Sequence, residues 1–181
     1  MALTATLYVF DVALNDVDRG VFEQLSIKAA CHPSESEEYL LTRVLAYCLE
    51  YAEGIAFSRG GISDPSEPAL VVKDLAGAWK SWIEVGAPDA ARLHLASKAS
   101  PRVAVYTHKQ PHILLRGYEG QRIHKADQIE VYAVDRELLA SLAGHLERRT
   151  AWTITVTGRQ LFVDVGGTSY HGPVKRLQLP G

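Results

Sequence analysis

Glu67 to Gly86 reads EPALVVKDLAGAWKSWIEVG, and this stretch decides the fold. Two apolar runs, Leu70-Val-Val72 and Trp82-Ile83-Glu84-Val85, flank a polar, glycine-containing centre, the pattern of a β-hairpin. The second run carries a carboxylate, Glu84, within an otherwise apolar strand. A carboxylate buried there costs several kcal/mol unless it is ion-paired, hydrogen-bonded or bound to a metal. A strand acid beside a second acid is a common way to hold a divalent cation against a phosphate. The simpler alternative is a strand-end glutamate that turns into solvent or pairs with a lysine.

Working outward, the elements fall into a regular order. Leu3 to Ala13 and Gly20 to Cys31 alternate as two strands joined by a turn at Asn15-Asp16-Val17-Asp18. Pro33-Ser34 opens a helix with a capping box from Ser34 to Glu37. That helix runs to about Ala52, with Leu41, Val44, Leu45, Cys48 and Ala52 on one face. Turns at Gly60-Gly61 and Asp64-Pro65 precede the hairpin. Asp89 caps a helix that ends before Pro101, Val103 to Thr107 is a buried strand, and Pro111 begins a further helical piece. Ile129 to Val134 is a strand, Arg136 to Glu147 a helix, and Ala151 to Val165 a closing hairpin turned at Gly158-Arg159. An antiparallel pair followed by strands that alternate with helices predicts an α/β (α+β) fold, a mixed β-sheet with flanking helices. The terminal hairpins either extend that sheet or form a small second one.

Composition sets the outer bounds. At 181 residues, 47% hydrophobic and 22% charged, the chain is ordinary globular material for one domain, residues 1–181. Its 19 Lys and Arg against 21 Asp and Glu give a net charge of −2, which argues against a broadly basic nucleic-acid coat protein. Contact with nucleic acid over one small patch remains compatible. Three modest basic clusters are available, Arg92-x-His94-x3-Lys98, His108-Lys109 and Arg122-x-His124-Lys125, with solvation as their default role. Cys31 and Cys48 lack zinc or CxxC spacing and read as reduced, buried residues of a cytoplasmic protein. The N-terminus alternates like a strand and does not resemble a signal peptide, and no apolar run approaches the ~20 residues of a membrane span.

A set of short motifs then carries a resemblance. Met1-Ala-Leu-x-Ala-Thr6, His32-Pro-Ser-Glu-x-x-Glu38, Arg43-x-Leu-Ala46, Arg59-Gly60, Glu67-Pro68, Trp82-Ile-Glu-Val-Gly86 with Pro88-Asp89, and Val105-Tyr-Thr107 together resemble the YaeQ family. The resemblance covers essentially the full length. It implies a variant of the PD-(D/E)xK restriction-endonuclease fold, with a nuclease-like core at about residues 34–135 and terminal hairpins at 3–31 and 151–165. It also implies an ancestral chemistry, phosphodiester hydrolysis supported by Mg²⁺ or Mn²⁺. Glu84 matches that pattern's second acid, and Glu38, or Glu35 beside it, the helix acid.

Two positions depart from the pattern. A two-residue turn at Ala76-Gly77 puts residue 69 opposite Glu84, and residue 69 is Ala rather than Asp. Glu67, two residues earlier on the same face, is the substitute, while Asp74 reads as a turn residue. Two residues after Glu84 stands Gly86 in place of a lysine. Lys98 is the candidate migrated lysine, with His94 one turn before it, although relatives carry a lysine nearer Leu95. The expected site is therefore Glu84, Glu67 and Glu38 as metal ligands with Lys98 as the cationic partner. The alternative is a catalytically degenerate nuclease-fold protein that binds nucleic acid or a protein partner without cleavage. His32 reads as shaping the start of the first helix. His108 and His112 have metal-like spacing but no third ligand nearby.

Overall fold

The computed structural model describes residues 4–58 and 66–180. The expected turns at Gly60-Gly61 and Asp64-Pro65, the Arg59-Gly60 motif and Met1 to Leu3 lie outside the described residues. The fold is mixed α+β, and the chain divides into two compact units: Met1–Leu49 with Val134–Lys175, and Glu50–Ala133 with Arg176–Gly181.

In the first unit, strands β1 (Thr6–Asp16) and β2 (Val21–Cys31) form an antiparallel hairpin, with Thr6 opposite Cys31. The turn spans residues 17–20, two residues later than the sequence suggested, and Gly20 closes it at φ +68°. β8 (Arg149–Thr157), β9 (Gln160–Val165) and β10 (Thr168–Leu177) form an antiparallel meander, and β8 pairs with β1 in parallel, so the order is β2-β1-β8-β9-β10. Phe10, Val12 and Leu14 on β1 alternate with exposed or half-buried neighbours, as do Trp152, Ile154 and Val156 on β8. One face of the pleat is thus core. The Phe10 and Trp152 rings meet at 4.9 Å. Helices α1 (Glu37–Leu49) and α4 (Arg136–Ala143) pack together, and α1 also touches β2.

Three local expectations need correction here. α1 begins at Glu37 rather than Ser34, because Ser36 Oγ accepts from the Tyr39 amide at 3.1 Å and supplies the cap. Ser34 is instead engaged with the His32 ring, whose Nδ1 accepts from the Ser34 amide at 3.2 Å. α4 stops at Gly144, short of Glu147. β10 was not anticipated, since Gly172-Pro173 argues against a strand. Gly172 is required because a Cβ there would lie 2.6 Å from the Asp135 Cβ, and Pro173 uses its carbonyl to accept from the Asp135 amide. Both cysteines are free, Cys48 buried with its thiol pushed up to about 12 by loss of solvation, Cys31 only half-buried.

The second unit holds the expected mixed sheet, in the order β7-β6-β5-β4-β3. β3 (Ile55–Phe57), β4 (Leu70–Lys73) and β5 (Trp79–Val85) are antiparallel, and β5, β6 (Val103–Thr107) and β7 (Glu130–Val134) are parallel. Helix α2 (Ala90–Ala99) links β5 to β6, and α3 (Pro111–Arg116) follows β6. Trp82, Leu93, Val105, Leu114, Tyr118 and Val131 make the core between these helices and one sheet face. Among the described residues, no helix is long and apolar enough to cross a membrane.

Candidate functional site

Register places the site. Leu70 pairs with Ile83 and Val71 with Trp82, so one step further sets Ala69 opposite Glu84, as the sequence argument required. The route differs from the expected two-residue turn. Asp74 organises a longer one, its Oδ1 accepting from the amides of Ala76 and Ala78, both at 2.9 Å. A bulge between Val72 and Lys73 then restores the register. Asp74 is thus a turn residue, exposed and remote from Glu84 along the hairpin.

Glu84 is buried, at 5% exposure. It does not turn into solvent, and its partner is an arginine. The Arg92 Nε–H donates to Glu84 Oε1 at 2.8 Å, and the Trp82 indole N–H donates to the same oxygen. Arg92 also donates from Nη2 to the Glu67 backbone carbonyl and lies over the Trp82 ring, 5.7 Å from its centroid. Loss of solvation raises the Glu84 pKa, and the Trp82 hydrogen bond and the Arg92 charge oppose that rise. Arg92 is held at the third position of α2 because the Asp89 cap accepts from its amide at 2.8 Å. A strand acid, a capping Asp and an Arg three residues into the next helix could have flagged this pair; the arginine was grouped instead with a solvated basic cluster.

The other acids of the expected site each have their own surroundings. Glu38 is exposed on α1, in the first unit. Glu35, also in that unit, is ion-paired with Arg43 at 3.4 Å. The Glu67 carbonyl accepts from Arg92, the partner of Glu84, and Glu67 is among the residues lining a cavity beside β3 and β4. Gly86 has φ +99°, a conformation that a lysine would adopt only under strain, so its place two residues after Glu84 is set by the backbone. Among the described residues, no three His, Cys, Asp or Glu side chains could hold a metal ion, and His108 with His112 is no exception. Among the described residues, Glu84, Glu67 and Glu38 therefore form no such group. Glu84 already has a cation in Arg92, and Ala69 offers a methyl group where a second acid would stand.

Two of the basic clusters do converge. His94 Nδ1 accepts from the His124 amide at 3.0 Å, and the two imidazole rings meet edge to face at 6.2 Å. The pKa of His94 is lowered, first by loss of solvation and then by the positive charges of Lys98, His124 and Arg122. His94 and Lys98 on α2 therefore share one cationic surface with Arg122 and His124, which lie beyond α3 in the sequence. Lys98 is exposed in the last turn of α2, where its charge also complements the helix dipole. A separate ion-pair network, unforeseen from sequence, holds Arg102 between Glu130 at 2.6 Å and Glu50 at 2.9 Å, with the Tyr132 hydroxyl donating to Glu130 at 2.7 Å. All of its carboxylates are engaged by Arg102, and it ties the start of β6 to β7.

Comparison with known proteins matches the chain to a family. A family model described as YaeQ protein covers residues 1–172, and the chain belongs to the YaeQ family. The uncharacterized protein YaeQ of Escherichia coli (strain K12) is 32% identical over 158 residues, 86% of each chain. The Salmonella typhi protein of the same description is 30% identical over 158 residues, again 86% of each chain. Among solved structures, YaeQ protein from Pseudomonas syringae superposes with a TM-score of 0.84 at 32% identity, covering 96% of both chains. That from Xanthomonas axonopodis pv. citri gives 0.86 at 25% identity, covering 98% of this chain and 100% of the other.

Proposed function

From membership of the YaeQ family, we propose that this chain is a degenerate PD-(D/E)xK-type scaffold that binds nucleic acid through a small cationic surface and does not cleave it with a metal. The observation that carries the reading is the convergence of Lys98, Arg122 and His124 on His94. A chain of net charge −2 that gathers its basic residues locally offers a phosphate backbone a docking strip without a general basic field. The Glu84–Arg92 pair supports the absence of cleavage. A guanidinium 2.8 Å from the only buried acid of the hairpin already neutralises the charge a divalent ion would need. Arg92 braces β5 to α2 and fixes the approach to β4 through the Glu67 carbonyl, so it consolidates the scaffold.

Fluorescence anisotropy with labelled single- and double-stranded oligonucleotides tests this reading. Three phosphate contacts give a slope of roughly −2 in log K against log salt for a single strand. The double variant Lys98→Glu/Arg122→Glu is expected to weaken binding at least tenfold while melting normally. The same oligonucleotides incubated with Mg²⁺ or Mn²⁺ should stay intact. Absence of binding at low salt overturns the proposal. Cleavage that disappears in Glu84→Ala would establish a metal-dependent nuclease instead.

A further inference from the structure

The sheet face that bears Glu84 also carries a cavity of about 470 Å³, within the usual size of small-ligand sites. Its floor is built from small residues. Ala56 on β3 lies opposite Val71 on β4, which in turn lies opposite Trp82, so all three share one face. Gly54, just before β3, has φ +92°, and a Cβ there would lie 2.0 Å from the Lys73 carbonyl oxygen, so bulk is excluded. The lining also includes residues whose side chains carry chemistry: the half-buried Trp79, with Lys73, Glu67 and Ser58. Ser58 Oγ is buried and has no hydrogen-bond partner among the described residues.

These groups form a continuous series leading to the buried ion pair. Lys73 Nζ is 5.9 Å from the Trp79 centroid, Trp79 and Trp82 meet at 5.2 Å, and Arg92 stands over Trp82. Trp82 braces the Trp79 ring, and the exposed Lys73 side chain that lies over it swings aside when a flat ligand stacks there. A ligand that satisfies the whole set has a flat ring for Trp79, an anionic group for Lys73 and adjacent ring N–H donors for a carboxylate. Guanine presents N1–H and N2–H side by side, which a carboxylate accepts as a pair. Adenine, cytosine and uracil lack that edge.

We propose that this cavity receives an unpaired guanine nucleotide, stacked on Trp79, with Glu67 reading the N1–H/N2–H edge and Lys73 meeting the phosphate. The inference rests on the nucleic-acid reading and adds a base preference to it. Titration of the full chain with GMP, AMP and CMP, followed by tryptophan fluorescence, provides the direct test. GMP should bind on the order of tenfold more tightly than AMP or CMP. Glu67→Gln should reduce that preference to about twofold without moving the melting temperature, and Trp79→Leu should weaken all three nucleotides. Equal affinities for the three nucleotides, or no binding of GMP, overturn the proposal. An abasic oligonucleotide separates the two readings. If it binds while GMP does not, the cationic surface stands and the guanine site falls; if GMP binds and the abasic strand does not, the reverse holds.

Discussion

Replacing Arg92 by Met tests the reading of the buried pair most directly. The substitution keeps much of the aliphatic stem that lies over Trp82 and removes the charge that compensates Glu84. Removing one partner of a buried pair costs about 3 kcal/mol, because the other charge is left in a low-dielectric site. For a chain of this size that corresponds to a fall in melting temperature of roughly 6–12 °C near neutral pH. The sign with pH follows from Glu84. Its folded pKa is raised above the ordinary 4.5, so the folded state binds more protons than the unfolded state. The ionised group is therefore a penalty near neutrality that is relieved as pH falls through the folded pKa toward 4.5. Without Arg92 that pKa rises further, so the penalty grows at pH 7–8 and its relief begins at a higher pH. Thermal melts of wild type and Arg92→Met from pH 5 to 8 should show a gap that widens with pH. Part of the gap reflects the lost bond to the Glu67 carbonyl and does not vary with pH. In Arg92→Met/Glu84→Gln much of the loss should return, since neither charge is then stranded. A gap that is the same at pH 5 and pH 8, or smaller than about 2 °C throughout, would falsify the claim that Arg92 serves to neutralise Glu84.

Three further outcomes are expected. Ala69→Asp alone should gain no stabilisation from Mn²⁺, because Arg92 still occupies Glu84, whereas Ala69→Asp/Arg92→Met places two open carboxylates opposite one another and should show a Mn²⁺-dependent rise in melting temperature. Oligonucleotide affinity should increase as pH falls from 8 to 5.5, because bound phosphate favours protonation of His94, whose pKa is held down by loss of solvation and then by its cationic neighbours; anisotropy of His94→Gln/His124→Gln should be nearly flat over that range. Gly172→Ala should destabilise the protein by about 1–3 kcal/mol in chemical denaturation, because its Cβ would meet Asp135 at 2.6 Å; an unchanged midpoint would show that Asp135 can move away.

The fold was legible where periodicity and turn chemistry agreed. β5, α2, β6 and β7 follow from apolar runs, the Asp89 cap and Pro101, and the register of Ala69 against Glu84 came out as expected. That register was reached through a bulge and an Asp74-centred turn, two deviations that offset one another and that no count of residues exposes. β3 was invisible because three residues carry too little pattern, and β10 because Gly172-Pro173 conceals a strand whose requirements are tertiary. In the site, sequence located Glu84 and its burial but not its partner. An arginine eight residues on becomes a neighbour only once the Asp89 cap sets the direction of α2. The contact of His94 with His124 likewise depends on where the chain returns after α3, which local pattern does not encode.

The parallel pairing of β1 with β8 has a consequence for synthesis. Val9 faces Arg149, so the β1–β2 hairpin leaves the ribosome roughly 120 residues before the strand that completes its inner edge. At ~5–20 residues per second, that hairpin waits for roughly 6–24 s with Phe10, Val12 and Leu14 lacking their native neighbours. The contiguous segment Glu50–Ala133 emerges during the same interval and can begin to organise first. The first unit is thus begun early and finished late. Its nascent hairpin waits longest for its partner strand, and slowing translation between residues 31 and 149 should lower the yield of folded protein more than slowing it after β10.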